Sequence, residues 1–237
     1  MAGGYVQEER DVIICESNVN GLAREAIQLK VIFNGAPINL EEGEDYSVDV
    51  LSGGNKWSQY EYRIKKQVFR EEGTYIVTVY SVDDAGNVNE NIDENKKAEI
   101  WFGVDRTKPV ITAVDLNSGK TYAKEYKNAS LVISDNLVLG SVEILLNGEK
   151  VDYTVEKERY SFLIPCCNTA QNVKVIAKDA AGNHSERKIE DFYVTTDLTV
   201  RIVNNKPLLI GTFGGAGLIM CGMLCFIRRR KIHLNKQ

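Results

Sequence analysis

Fourteen residues recur without a gap ninety-six positions further along the chain. Val77 to Glu90 (VTVYSVDDAGNVNE) aligns on Val173 to Glu186 (VKVIAKDAAGNHSE). Upstream, Lys30 to Gly35 (KVIFNG) matches Glu143 to Gly148 (EILLNG), and downstream Phe102-Gly103-Val104 matches Phe192-Tyr193-Val194. The blocks keep their order, so the chain contains two copies of one supersecondary plan. The aligned runs alternate with period two and are separated by Gly, Asn and Asp, which is the signature of short strands. No stretch before Pro207 sustains a period of 3.6. Two short helical turns are expected around Leu22–Ala26 and Lys65–Phe69.

The second copy can be laid out strand by strand: Val110–Val114, Ser130–Ser134, Ser141–Leu146, Val151–Val155, Tyr160–Ile164, Asn172–Lys178 and Lys188–Thr195. Seven short strands in one copy suggest a β-sandwich of immunoglobulin type. Asn147-Gly148 reads as a hairpin turn, because both residues accept positive φ. In the first copy Val12 to Glu16 resembles Leu131 to Asp135. Nothing before Val12 reads as a first strand, so residues 1–10 are expected to be a disordered N-terminal end. The expected organisation is all-β: immunoglobulin-like domain 1 over 11–105, lacking its first strand, and domain 2 over 106–203. A transmembrane helix over 208–227 and a basic cytoplasmic tail over 228–237 follow.

The repeated turn and the linker after the first copy carry a resemblance. The turns are Asp83-Asp84-Ala85-Gly86-Asn87 and Asp179-Ala180-Ala181-Gly182-Asn183. The linker is Phe102-Gly103-Val104-Asp105-Arg106-Thr107-Lys108-Pro109. Together they resemble the bacterial immunoglobulin-like repeats of Gram-positive cell-surface proteins, over residues 11–203. The resemblance implies stalk, spacer or adhesion modules that present a distal N-terminal part; the alternatives are a glycan- or protein-binding module, with host or cell-wall glycan or protein as ligand, and an accessory region of a larger surface enzyme. Many relatives end in a Leu-Pro-x-Thr-Gly wall-sorting motif, which this sequence lacks, so a retained membrane anchor is expected instead.

Charge supports that anchor. The chain of 237 residues carries 29 Lys+Arg and 33 Asp+Glu, a formal charge of −4. Five of the basic residues and none of the acidic ones lie after Pro207, which leaves a net −9 on residues 1–207 and +5 on the rest. The acidic body argues against nucleic acid as a partner, since phosphates need a positive footprint. Leu208 to Ile227 is uncharged, and as a helix of 20 residues it would span roughly 30 Å of hydrocarbon. Arg228, Arg229, Arg230 and Lys231 follow at once and mark the cytoplasmic side. The N-terminal region is therefore expected outside the cell, with membrane lipid as one partner. Residues 1–20 contain no export signal, which reads as a fragment of a longer surface protein. Gly211 and Gly215 form a GxxxG pair that could bring two spans together; the sequence sets no oligomeric state.

Chemistry is sparse, and no enzyme is expected. Val88 stands where the second copy has His184, so no Ser–His–Asp arrangement repeats. Acidic pairs such as Glu41-Glu42 read as solvated surface. Cys15, Cys166 and Cys167 read as unpaired thiols. Trp57, Tyr60 and Tyr62 share one strand; they fit either a sugar-stacking face or the core, and core packing is the commoner use. Trp101-Phe102 reads as core. The Asp-x-Ala-Gly-Asn turns bond locally in the structural reading. The functional reading is calcium, whose hard oxygen ligands Asp and Asn supply. In a sandwich the loops after the second and sixth strands share one end with the entering linker. That would gather Asp105, Asp135, Asn136, Asp179 and Asn183. No other cofactor is expected.

Overall fold

The computed structural model describes residues 3–52, 58–90 and 99–204. Among these no helix is long and apolar enough to cross a membrane. The expected span 208–227 and the basic residues 228–231 lie outside the described residues, as does Trp57.

The first half of the chain supplies β1 (Gly4–Val6), β2 (Val12–Asn18), β3 (Gln28–Phe33), β4 (Ala36–Ile38), β5 (Tyr46–Ser52), β6 (Ser58–Ile64), β7 (Gly73–Val82), β8 (Val88–Asn89) and β9 (Ile100–Val104). The second supplies β10 (Val110–Ala113), β11 (Thr121–Tyr122), β12 (Tyr126–Ser134), β13 (Leu139–Leu146), β14 (Glu149–Lys150), β15 (Tyr153–Glu156), β16 (Arg159–Pro165), β17 (Cys167–Asp179) and β18 (His184–Val194). All seven strands expected in the second copy are present. The two expected helical turns are single 3-10 turns at Arg24–Ala26 and Lys66–Phe69.

The two halves have one topology. In the first, one sheet runs β1-β9-β7-β3-β4, with β8 paired to β7, and the other runs β2-β6-β5. In the second, the sheets run β11-β18-β17-β13-β14 and β10-β12-β16-β15. The last of these is the A-B-E-D sheet of the immunoglobulin plan, and β13-β17-β18 is its C-F-G sheet. Only β10 has no counterpart in the first half. The hairpins match as well. Asn34 and Gly35 have φ of 48° and 86°, and Asn147 and Gly148 have 53° and 90°. Left-handed conformation at both central residues matches the twist of the flanking strands.

The N-terminal end corrects an expectation. Gly4–Val6 is a strand, paired in parallel with β9 from Gly4↔Phe102 to Val6↔Val104. In the second half β11 pairs in parallel with β18 in the same way. A three-residue parallel pairing leaves no period in the sequence. Its side chains do leave a trace: Tyr5 packs edge-on against Trp101 at 5.4 Å. Trp101 and Phe102 are neighbours on one strand and cannot share a face. Phe102 packs into the core, and Trp101 is covered from the other side by Tyr5.

Two compact units divide the chain, and they are not sequential. The first takes Met1–Val110, Ser134–Ser141 and Ala177–Ser185; the second takes the remainder. This division by contacts differs from the repeat boundary at 105/106, since two later segments join the first unit. A polar contact within that unit ties one of them in: the Asn183 side chain donates to the Asp105 carbonyl at 3.0 Å.

In the first sandwich Val12, Ile14, Tyr62 and Ile64 from one sheet meet Val31, Tyr75, Val77 and Val79 from the other in a single core cluster. Every second residue of β7 is buried, from Gly73 to Ser81. Tyr75 is the hub. Its ring lies 4.8 Å from Phe33, 5.2 Å from Phe69 and 5.4 Å from Phe102, and its hydroxyl donates to the Glu71 carbonyl at 2.9 Å. A tyrosine near the start of this strand bonding back to the preceding backbone is a recurrent corner of immunoglobulin-like sandwiches. The aligned residue in the second half is Gln171, also buried, whose amide donates to the Pro165 carbonyl at 3.1 Å. In the second half β12, β16 and β17 bury alternate residues, among them Leu131, Ile133, Phe162, Ile164, Val173 and Val175, and β13 adds Ile144.

One short helix, α1 (Leu198–Asn204), was not expected before Pro207. Its sequence, LTVRIVN, is β-branched and reads as strand. Asp197 starts it by accepting the Thr199 and Val200 amides at 2.7 and 3.2 Å, the bonding of an N-cap.

Candidate metal centre

Both Asp-x-Ala-Gly-Asn turns are built alike. Asp83 Oδ1 accepts the amides of Ala85 and Asn87 at 3.0 and 2.8 Å, and its Oδ2 accepts the Asn87 side-chain amide at 2.7 Å. Asp179 Oδ1 accepts Gly182 and Asn183 at 2.6 and 2.8 Å, and its Oδ2 accepts the Asn183 side chain at 2.7 Å. Gly86 and Gly182 take φ of 84° and 97°, which lets the chain reverse inside the ring of bonds. The local, structural role of these residues is thus met in both copies.

What differs is what faces the aspartate. In the first copy the Asn20 side chain donates to Asp83 Oδ2 at 3.2 Å. Glu16, aligned with Asp135, accepts the Ser81 hydroxyl. These donors satisfy both carboxylates, and the bonds lower the Asp83 pKa, the Asn87 amide first. In the second copy the Ser81 donor has no equivalent. Ala177 replaces Ser81, and the Asp179 turn meets Asp105 and Asp135 instead.

Asp105, Asp135 and Asp179 each bring a carboxylate oxygen within 4.8 Å of the other two. All three belong to the first compact unit. Asp105 is fully buried and Asp179 nearly so. Asp105 Oδ1 accepts the Thr107 amide at 3.1 Å, and Asp135 Oδ2 accepts the Leu137 amide at 3.2 Å. Their second oxygens, Asp105 Oδ2 and Asp135 Oδ1, are buried with no hydrogen-bond partner. Burial pushes the Asp105 carboxyl above its ordinary range. Asp135 and Asp179 push the same way, and the Thr107 amide and, least, the Asn136 side chain oppose them.

Basic side chains do not relieve this charge. Arg106, next in the chain, gives its guanidinium to Glu9 at 2.6 Å and to the Arg70 carbonyl at 3.0 Å. Among the described residues no Lys or Arg forms an ion pair with any of the three carboxylates.

Of the five residues picked from the sequence, the three aspartates converge. Asn183 is spent on Asp179 and the Asp105 carbonyl, and Asn136 turns its amide toward Glu72 at 3.5 Å. Sequence reasoning missed Asn20, Ser81 and Glu72. Only the Ser81/Ala177 difference was visible in the repeat alignment.

Elsewhere, Tyr62 is buried and Tyr60 packs against the same core, so neither belongs to an exposed stacking face. Cys15, Cys166 and Cys167 are free thiols, the first two exposed.

No family model and no curated protein matches the chain. Among solved structures, the fibronectin(III)-like modules of Clostridium thermocellum CbhA are similar at 15% identity and a TM-score of 0.37, over 82% of this chain and 90% of that one. Likeness at that level adds nothing to the immunoglobulin-like assignment, which rests on strand order.

Proposed function

We propose that the chain is a membrane-anchored stalk or adhesion-type module of a bacterial cell surface, with its sandwiches outside the cell and its C-terminus inside. It performs no catalysis. The observation that carries the reading is the strand order shared by the two halves, β8 and β10 apart. Each repeats the same scaffold: the Asn-Gly hairpin, the Asp-x-Ala-Gly-Asn turn and the buried alternation of the central strand. What changes between copies lies at the turns and not at any shared cleft. The uncharged run 208–227 with Arg228, Arg229, Arg230 and Lys231 behind it supplies the anchor.

Membrane extraction tests the anchor. In alkaline carbonate the full chain stays with the membrane pellet, and a chain truncated after Asn205 moves to the supernatant. A full chain that extracts as readily as the truncated one contradicts the reading. A glycan- or protein-binding role is the second reading. Exposed Val110, Tyr126, Val155 and Leu163 in the β10-β12-β16-β15 sheet favour it.

A further inference from the structure

We infer that Asp105, Asp135 and Asp179 bind one divalent cation of calcium's size, and that the first copy binds none because Asn20 and Ser81 do the cation's work there. The inference is independent of the surface reading and concerns the folded chain alone.

Three observations carry it. First, the spacing suits one ion. Oxygens on opposite sides of a calcium ion are separated by about twice a bond of roughly 2.3–2.6 Å, and the three carboxylate oxygens lie within 4.8 Å of one another. Second, Asp105 is fully buried, and its Oδ2 has no partner. Asp135 Oδ1 is a second buried oxygen in the same state. Burying a carboxylate oxygen that has no donor and no counter-charge is costly, and proteins resolve it by protonation, pairing or metal coordination. Third, the repeat provides an internal control. The first copy keeps the same turn, yet its aspartate and its Glu16 each receive an uncharged donor. In the second copy Ala177 stands in place of Ser81, and Asp105 of the linker faces the turn. Hard oxygens without nitrogen or sulfur ligands suit calcium better than zinc or copper.

The remaining ligands are within reach in chemical terms. Asp179 Oδ1 accepts two amides and Oδ2 only the Asn183 side chain, which fixes the carboxylate's direction and leaves one lone pair free on Oδ2. Water completes the shell of six to eight oxygens that calcium takes. Gly140 has a supporting place. A Cβ there would come within 2.9 Å of the Asp179 carbonyl, so glycine lets β13 approach the turn.

The experiment is calcium titration calorimetry on the purified full chain in detergent, after EDTA treatment and desalting. One calcium ion binds per chain, and the melting temperature rises by several degrees at about a hundredfold excess over Kd. Asp135→Asn weakens binding about tenfold or more, by removing one of three carboxylates. Its amide oxygen can still accept the Leu137 amide, so the fold survives, as the unchanged circular dichroism would show. Asp84→Asn, in the exposed part of the other turn, leaves affinity and stoichiometry unchanged. Absence of saturable heat up to 10-millimolar-scale calcium (about ten times a weak extracellular site) overturns the inference. Binding that Asp135→Asn leaves intact, or that Asp84→Asn weakens equally, overturns it too.

Discussion

Replacing Tyr75 with Ala lowers the unfolding free energy by about 3–5 kcal/mol, the usual cost of truncating a buried aromatic. Tyr75 is 1% exposed and touches three other rings. Truncation removes those contacts and leaves a cavity between Phe33, Phe69 and Phe102. The hydroxyl is a separate, smaller effect. Tyr75→Phe keeps the ring and loses only the bond to the Glu71 carbonyl, so it costs about 0.5–1.5 kcal/mol. Urea unfolding of the two variants separates these contributions. A Tyr75→Phe loss as large as the Ala loss would mean that the corner bond, and not the aromatic cluster, holds this end of β7. The mirror position behaves differently. Gln171 fills the same place with a bond to the Pro165 carbonyl in place of a ring stack, so this position carries no aromatic cluster in the second half.

Asn183→Ala has the second largest effect, about 2–4 kcal/mol, because two side-chain hydrogen bonds are lost and one of them is to a carboxylate. Asn183 is nearly buried, and its amide bridges Asp179 Oδ2 and the Asp105 carbonyl. Removing it leaves Asp179 facing Asp105 and Asp135 with one fewer donor. Asn87→Ala makes the comparison. Asp83 keeps the Asn20 amide and two backbone donors, so the same substitution in the first copy costs less. Thermal melts of the pair decide the point. Equal losses would show that the turn alone matters and that what faces it does not.

The second sandwich was legible because each of its main strands is half-buried. Alternation then appears in the sequence, and turns such as Asn147-Gly148 punctuate it. Gly4–Val6 and Thr121–Tyr122 were not legible, since a two- or three-residue parallel pairing has no period. The α1 helix was hidden by Val200, Ile202 and Val203, whose β-branched side chains argue for strand, and it forms around the Asp197 cap. Period two also shows which residues share a face without showing which face is inside; Tyr60 and Tyr62 illustrate this. At the metal centre, topology was enough to gather Asp105, Asp135 and Asp179, because a sandwich places those loops at one end. Asn20 escaped because it lies in a longer loop of the first copy that has no aligned partner, and its reach to Asp83 crosses 63 positions of chain.

Sidedness tests the central claim most directly. Cys166 is an exposed free thiol of the body, and Lys236 lies beyond the basic cluster Arg228, Arg229, Arg230 and Lys231. In cells that make the protein from its own gene, a membrane-impermeant maleimide labels Cys166 without lysis. In a Lys236→Cys variant with the other cysteines replaced, it labels the tail only after the membrane is opened. Labelling of the tail on intact cells, or of Cys166 only after lysis, would contradict the account.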